Sequence, residues 1–80
     1  MNEIYEVIRQ LVNDGHINNN LGFSARNVRE QIEYHHIPHN FQLNSISHSV
    51  WKHSIGGGNT PIIYYNRIKR ALYMIRQQYL

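Results

Sequence analysis

Cysteine is absent from this 80-residue sequence, and no acidic residue occurs after Glu33. Without thiols the chain forms neither disulfides nor thiolate metal sites. The absence of cysteine does not indicate whether the protein works in an oxidising or a reducing compartment. No apolar run approaches the roughly 18 residues that a membrane span requires, and the N-terminus lacks the basic-then-apolar pattern of a signal segment. These absences favour a soluble intracellular protein in the cytoplasm, or in the host cytoplasm if it is viral, with no membrane partner.

The size and the charge of the chain predict one small, weakly basic domain over residues 1–80. A chain of this length is near the size at which one core is only just adequate, so dimerisation would help it. The formal net charge is +3. All five acids lie in the first 33 residues, whereas five of the eight Lys and Arg residues lie from Lys52 onward. This asymmetry suits a polyanionic partner at the basic end.

The first predicted element is a helix over residues 2–14. Apolar residues recur there with helical spacing, and Gly15 ends the pattern. Residues 16–22 contain an Asn triplet that resists both helix and strand. We therefore expect a connector there, anchored to the core by Ile17 and Leu21.

A second helix is predicted from Ser24 to about residue 35. Ser24 is a good N-cap, and Phe23 before it can pack on Val28 as a hydrophobic staple. The connector that follows, residues 35–43, contains Pro38 and cannot continue the helix. It is longer than the turn of the tightest helix-turn-helix motifs.

A third helix is predicted to begin at Asn44 and Ser45, whose side chains can cap it. Ile46 and Val50 are four residues apart and should face the core. The other face carries polar, cationic and aromatic side chains and no acid. Three glycines at positions 56–58 end the helix, and residues 62–65 have high strand preference.

The last segment, residues 66–80, has helical spacing of apolar residues and is predicted to be a helix capped by Asn66. Two uses of its apolar face remain open, namely packing on the first helix and contact with a second copy in a homodimer. The residues expected in that dimer interface are Ile68, Leu72, Tyr73, Ile75 and Tyr79.

Residues 23–32, 43–55 and 56–65, in this order of helix, helix, glycine tip and strand, resemble a winged helix-turn-helix DNA-binding domain. The resemblance implies a mainly α fold with a small β-hairpin: a three-helix core plus a wing and a C-terminal helix. It also implies that the third helix lies in the major groove and that the second helix approaches the DNA backbone. The wing, at 56–60, would reach phosphates or the minor groove.

Hydroxyl, amide, imidazole and cationic groups are the side chains that contact DNA phosphates and base edges. The alternative is that the polar residues of this part of the chain are ordinary solvated side chains and that Trp51 is half-buried in the core. The third helix has no Arg or Gln, so bidentate guanine reading is not expected from it, and water or DNA shape would have to contribute. The expected DNA-binding residues are Arg26, Asn27, Ser45, Ser47, His48, Trp51, Lys52, Asn59, Thr60 and Arg67.

Metal and catalytic sites have little support in the sequence. His35, His36 and His39 form an HHxxH pattern, but Pro38 interrupts it and no HExxH motif is present. No phosphate-binding loop with a Lys-Ser/Thr pair exists, and the basic half has no paired acids. We expect no metal, cofactor, catalytic residue or small-molecule substrate.

The predicted function is therefore that of a small, non-enzymatic transcriptional regulator that binds double-stranded DNA as a homodimer, with selectivity for its sequence or shape. Small size and a composition typical of AT-rich coding DNA suggest a phage, virus or mobile-element origin. An alternative from another class is a protein-interaction adaptor in replication or host takeover. It would use the same scaffold, with Trp51 and the tyrosines as interface anchors.

Overall fold

Three α-helices and a two-stranded antiparallel sheet form the described part of the chain, so the fold is small and mainly helical. The structure is a computed structural model, and it describes residues 3–54, 63–66 and 72–80. No helix in these ranges is long and apolar enough to cross a membrane. The elements are α1 (Glu3–Asn13), α2 (Ala25–Tyr34), α3 (Ser45–Lys52), β1 (Tyr64–Asn66), β2 (Tyr73–Ile75) and a 3-10 helix (Gln77–Tyr79).

The first helix agrees with its sequence prediction to within one residue at each end. Ile4, Ile8 and Leu11, on one stripe of α1, are buried in the core. The connector agrees only in part, because Ile17 is buried whereas Leu21 is 69% exposed. The Asn18 carboxamide accepts the backbone N–H groups of the two residues before Gly22, which turns the chain there.

The second helix begins as its sequence predicts. Ser24 is the N-cap, and its hydroxyl accepts the Asn27 N–H at 3.0 Å. Phe23 and Val28 are both buried in the core, on either side of this cap. The helix ends at Tyr34, at the predicted position.

The third helix begins at Ser45, but the expected side-chain cap from Asn44 is absent. Asn44 already has helical backbone angles, whereas a capping side chain normally requires an extended residue. The Ser45 N–H instead donates to the Gln42 carbonyl at 2.9 Å, within the turn that leads into α3. Ile46 and Val50 are buried, as predicted.

The sheet is a hairpin in which Tyr64 faces Ile75, Tyr65 faces Met74 and Asn66 faces Tyr73. Its second strand also pairs with the segment before α2. Phe23 and Tyr73 exchange two backbone hydrogen bonds of 2.8 and 2.7 Å. The hairpin is thereby attached to the helical part at the start of α2.

The predicted helix over residues 66–80 is wrong in the described part of that segment. Asn66 ends β1, and residues 73–75 form β2. Tyr73 and Ile75 are buried while Met74 between them is half-buried, which is the two-residue alternation of a strand. The backbone of β2 finds partners in β1 and Phe23, and these remote pairings outweigh the helical spacing of the apolar residues.

The dimer contact was expected from one face of that helix, and residues 72–80 do not form it. The homodimer itself stays a prediction. Tyr73 and Ile75 are 5% and 3% exposed, inside the core of their own chain. Tyr79 packs on the same core, where its carbonyl accepts the Tyr5 hydroxyl. Leu72 is half-buried, and Ile68 lies outside the described residues.

Candidate nucleic-acid interface

Helix α3 is fixed by its buried face and by hydrogen bonds at its C-terminal end. Ile46 and Val50 are 1% and 0% exposed and fix one face of the helix in the core. At its end, the His53 carbonyl accepts the N–H groups of Ile63 and Tyr64 at 2.8 and 3.1 Å. The helix therefore has a fixed orientation with respect to β1.

The opposite face of α3 is open to solvent. The rings of His48 and Trp51 lie next to each other, with centroids 6.2 Å apart and planes tilted by 36°. Trp51 is 50% exposed, so its indole is available to a partner rather than enclosed in the core. The exposed side chains of α3 are the five that the sequence predicts for DNA contact: Ser45, Ser47, His48, Trp51 and Lys52.

The two predicted residues of α2 differ in their accessibility. Arg26 is on the surface, with its side chain 87% exposed and its Nε 4.0 Å from the Glu30 carboxylate. Asn27 is half-buried, and its backbone N–H is already used by Ser24. An exposed ion pair of this kind is weak, so Arg26 can leave Glu30 and bind a phosphate at little cost in free energy.

A groove between α2 and α3 brings acidic side chains next to α3, which the sequence did not predict. The groove is bordered by two i,i+4 ion pairs of α2, and it reaches Ser47 on α3. Arg29 and Glu33 form the closer pair, with Nε 3.5 Å from Oε1. One edge of α3 thus lies beside two carboxylates, those of Glu30 and Glu33, and beside the two arginines paired with them. Only tertiary packing brings these acids next to α3, so no local pattern could have indicated them.

The remaining predicted DNA contacts, Asn59, Thr60 and Arg67, and the wing expected at 56–60 lie outside the described residues. The hairpin that the structure does describe joins β1 to β2. The sequence between these strands, residues 67–72, includes Arg67, Lys69 and Arg70.

The histidines of the HHxxH pattern have separate neighbours. His35 stacks on His16 with ring centroids 3.7 Å apart, and its Nε2 is 3.1 Å from the Gln31 carboxamide oxygen. His39 is hydrogen-bonded through Nδ1 to the Phe41 carbonyl at 2.9 Å. Within residues 3–54, 63–66 and 72–80, no three His, Asp or Glu side chains are grouped so that they could hold a metal ion.

No protein-family model matches this chain, and searches of curated proteins and of solved structures give no significant match. The geometry of α3 and the charges around it are therefore the features that point to a function.

Proposed function

We propose that this protein is a non-enzymatic regulator that binds double-stranded DNA through the exposed face of α3. The observation that carries the proposal is that this face is exposed and bears no acid of its own, while Ile46 and Val50 on the opposite face are buried in the core. A helix fits the major groove, where hydroxyl and imidazole groups can meet base edges. Lys52, at the C-terminal end of α3, would contact a phosphate.

The order of elements supports a winged helix-turn-helix arrangement for this domain. Helix α1, the short pairing at Phe23, α2, α3 and the β1–β2 hairpin follow one another along the chain. We assign α3 as the recognition helix and the β1–β2 hairpin as the wing. The three cations in the sequence between β1 and β2 favour phosphate contact by the wing.

A second candidate function is that of a protein-interaction adaptor, and the exposure of Trp51 favours it. Tryptophan is enriched among the residues that contribute most to protein interfaces. A half-exposed indole beside His48 could fill a pocket on an apolar partner. The two functions differ in salt dependence, because phosphate contacts release counterions and apolar contacts do not.

The deciding experiment measures affinity for a random-sequence duplex by fluorescence anisotropy over a series of salt concentrations. We expect binding that weakens steeply with salt. Lys52→Ala should reduce the magnitude of the log–log slope by about 0.9, the value for one phosphate contact. Arg9→Ala is the charge control, because it removes the same charge from exposed Arg9 of α1; it also removes the hydrogen bond from Arg9 Nε to the Leu80 carbonyl, so its fold must be checked as well. Circular dichroism would verify that both variants are folded.

Three results would contradict the DNA proposal. The first is an absence of duplex binding at low salt. The second is an equal change of slope in Lys52→Ala and Arg9→Ala, which would indicate a response to net charge alone. The third is binding that does not depend on salt and is lost in Trp51→Ala, which would favour the adaptor.

His48→Ala should change preference among sequences more than overall affinity.

A further inference from the structure

The outward face of the β1–β2 hairpin is apolar, although an antiparallel sheet with one face on the core usually has polar residues on the other. The inward residues, among them Tyr64 and Ile75, belong to the core. The outward pair consists of Tyr65, which is 52% exposed, and Met74, which faces it across the strands and is half-buried. The hairpin therefore has apolar side chains on both faces.

The apolar surface continues beyond the two strands. A Cβ placed on Gly22 would lie 3.6 Å from Leu72 Cβ and 3.8 Å from Met74 Cγ, so the backbone at Gly22 lies against this face. Its neighbour Leu21 is 69% exposed, and Leu80, 39% exposed, lines one depression together with Tyr65 and Met74. We call this surface the hairpin patch and define it as Leu21, Tyr65, Leu72, Met74 and Leu80.

Among the described residues, the surroundings of the hairpin patch are nearly uncharged. Its depression is bordered by the carboxamides of Asn20, Gln77 and Gln78, and Arg76 is the one charged side chain among the described residues that line it. All five acids of the chain precede residue 34. A nucleic acid would require several cations on this face, and the described residues that line the depression supply one; a basic partner would require acids. The chemistry of the patch fits a partner that is itself apolar and bordered by amides.

We propose that the hairpin patch is the surface through which two copies of this chain form a two-fold symmetric dimer. A second copy has a surface of the required chemistry, and in a two-fold contact the same patch serves both partners. Two chains that each carry a net charge of +3 repel each other least where the contact excludes charged groups. Among the described residues, the patch and its border carry one cation and so come close to this condition.

The geometry of such a contact is that of two sheets packed face to face, about 10 Å apart. A specific interface buries about 800 Å² per partner, which is about 15% of the 5325 Å² surface of this chain. The contact must therefore extend from the patch over its carboxamide border. No residue of α3 belongs to the patch, so the dimer leaves the proposed recognition helix free; the patch lies on the same hairpin as the proposed wing.

Sedimentation equilibrium from micromolar to millimolar protein, without nucleic acid, tests the proposal. We expect a monomer–dimer equilibrium for the natural chain. Tyr65→Glu and, separately, Leu21→Glu should raise the dissociation constant by about thirtyfold or more, the range for the loss of an interface hot spot. Tyr34→Glu is the matched control, because Tyr34 is 77% exposed and lies at the end of α2, away from the patch. It should leave the equilibrium unchanged.

Circular dichroism would establish that each variant keeps its helix content, and Leu21→Glu, in a loop, provides a readout if a strand variant unfolds. A natural chain that stays monomeric at millimolar concentration would overturn the proposal. The same holds if Tyr34→Glu dissociates the dimer as strongly as Tyr65→Glu, or if both patch variants remain dimeric.

Discussion

The carboxamide of Asn19 pairs with the backbone of Ile75 in the way that a strand residue would. Its Nδ2 donates to the Ile75 carbonyl at 3.0 Å, and its Oδ1 accepts the Ile75 N–H at 2.7 Å. Two positions earlier on the same edge, the backbone of Tyr73 pairs with Phe23. The edge of β2 away from β1 is thus occupied by one side chain and one bridge, which removes a free strand edge.

The first prediction concerns Asn19→Ala. The variant leaves the N–H and the carbonyl of Ile75 without their partner, so the free energy of unfolding should fall by about 1–3 kcal/mol, the cost of an unsatisfied buried group. The measurement is urea unfolding followed by circular dichroism. Asn20→Ala is the control: Asn20 is exposed and should tolerate the change within about 0.5 kcal/mol. A loss within about 0.5 kcal/mol for Asn19→Ala, as in the control, would show that the Asn19 side chain contributes little.

The second prediction compares Gly22→Ala with Gly15→Ala. Both glycines have positive φ, +93° and +79°, so both substitutions impose backbone strain of about 1–2 kcal/mol. They differ in space, because a Cβ at Gly22 would lie 3.4 Å from the Tyr73 carbonyl, an ordinary contact distance, whereas one at Gly15 meets nothing within 4 Å. Since neither methyl group clashes, the backbone strain should dominate, and thermal unfolding should show a similarly lowered midpoint for both variants. A much lower midpoint for Gly22→Ala would show that the backbone at Gly22 does not accept a side chain next to Tyr73.

The helices could be predicted from sequence because their signals are local. The apolar stripe of α1, the Ser24 cap and the buried pair Ile46 and Val50 depend only on residues within the same helix or next to it. The same spacing predicted which face of α3 is exposed. The groove next to α3 could not be predicted, since it depends on how α2 packs against α3.

The first strand of the hairpin could be predicted in part, since Tyr64 and Tyr65 of β1 lie in the segment of high strand preference, but the second strand and the pairing could not. Each of its strands has three residues, and the backbone of β2 finds partners in β1, in Phe23 and in the side chain of Asn19. These partners are as many as 56 positions away along the chain. In a segment as short as residues 72–79, apolar residues that fit a helical period also fit a strand followed by a turn, and only the remote partners decide between them.

The third prediction concerns the hydroxyl of Tyr64. The residue is 0% exposed, its ring meets Phe23 edge-to-face at 6.3 Å, and its hydroxyl has no hydrogen-bond partner among the described residues. Tyr64→Phe keeps the ring and removes the unpaired group. We expect the free energy of unfolding at neutral pH to stay the same or rise by up to about 1 kcal/mol, as measured by urea unfolding. A loss of more than about 1 kcal/mol would show that the hydroxyl has a stabilising partner.

The same residue predicts the alkaline limit of the fold. Burial, and to a smaller extent the neighbouring Tyr5, raises the pKa of Tyr64 well above its ordinary value. Because the folded state keeps this proton longer than the unfolded state, the stability due to Tyr64 is complete below about pH 10 and is lost as pH rises further. The slope should be about 1.4 kcal/mol per pH unit. Urea unfolding of Tyr64→Phe above pH 10 should show a shallower slope; an unchanged slope would assign the effect to another group, such as Tyr73, whose pKa burial also raises.

The fourth prediction concerns the carboxylates beside α3. Glu30 and Glu33 have side chains 61% and 60% exposed, and they border the groove that reaches Ser47. If DNA approaches α3, both repel its phosphates, and their removal also frees two arginines. The double variant Glu30→Gln, Glu33→Gln should bind a random duplex about fourfold more tightly at low salt, from about 0.4 kcal/mol per charge at about 10 Å in water.

The gain in that double variant should shrink as salt is added, because charges at this distance are screened at physiological ionic strength. Glu6→Gln is the control, since Glu6 is an exposed acid in the first turn of α1. It alters net charge without altering the groove, and its affinity should change by less than half as much on a logarithmic scale. If the double variant gains no more per charge than Glu6→Gln, the groove is not next to the bound DNA. If its affinity falls, the two carboxylates contribute to binding, and α3 must approach its partner by the opposite edge, which carries Ser45 and Lys52.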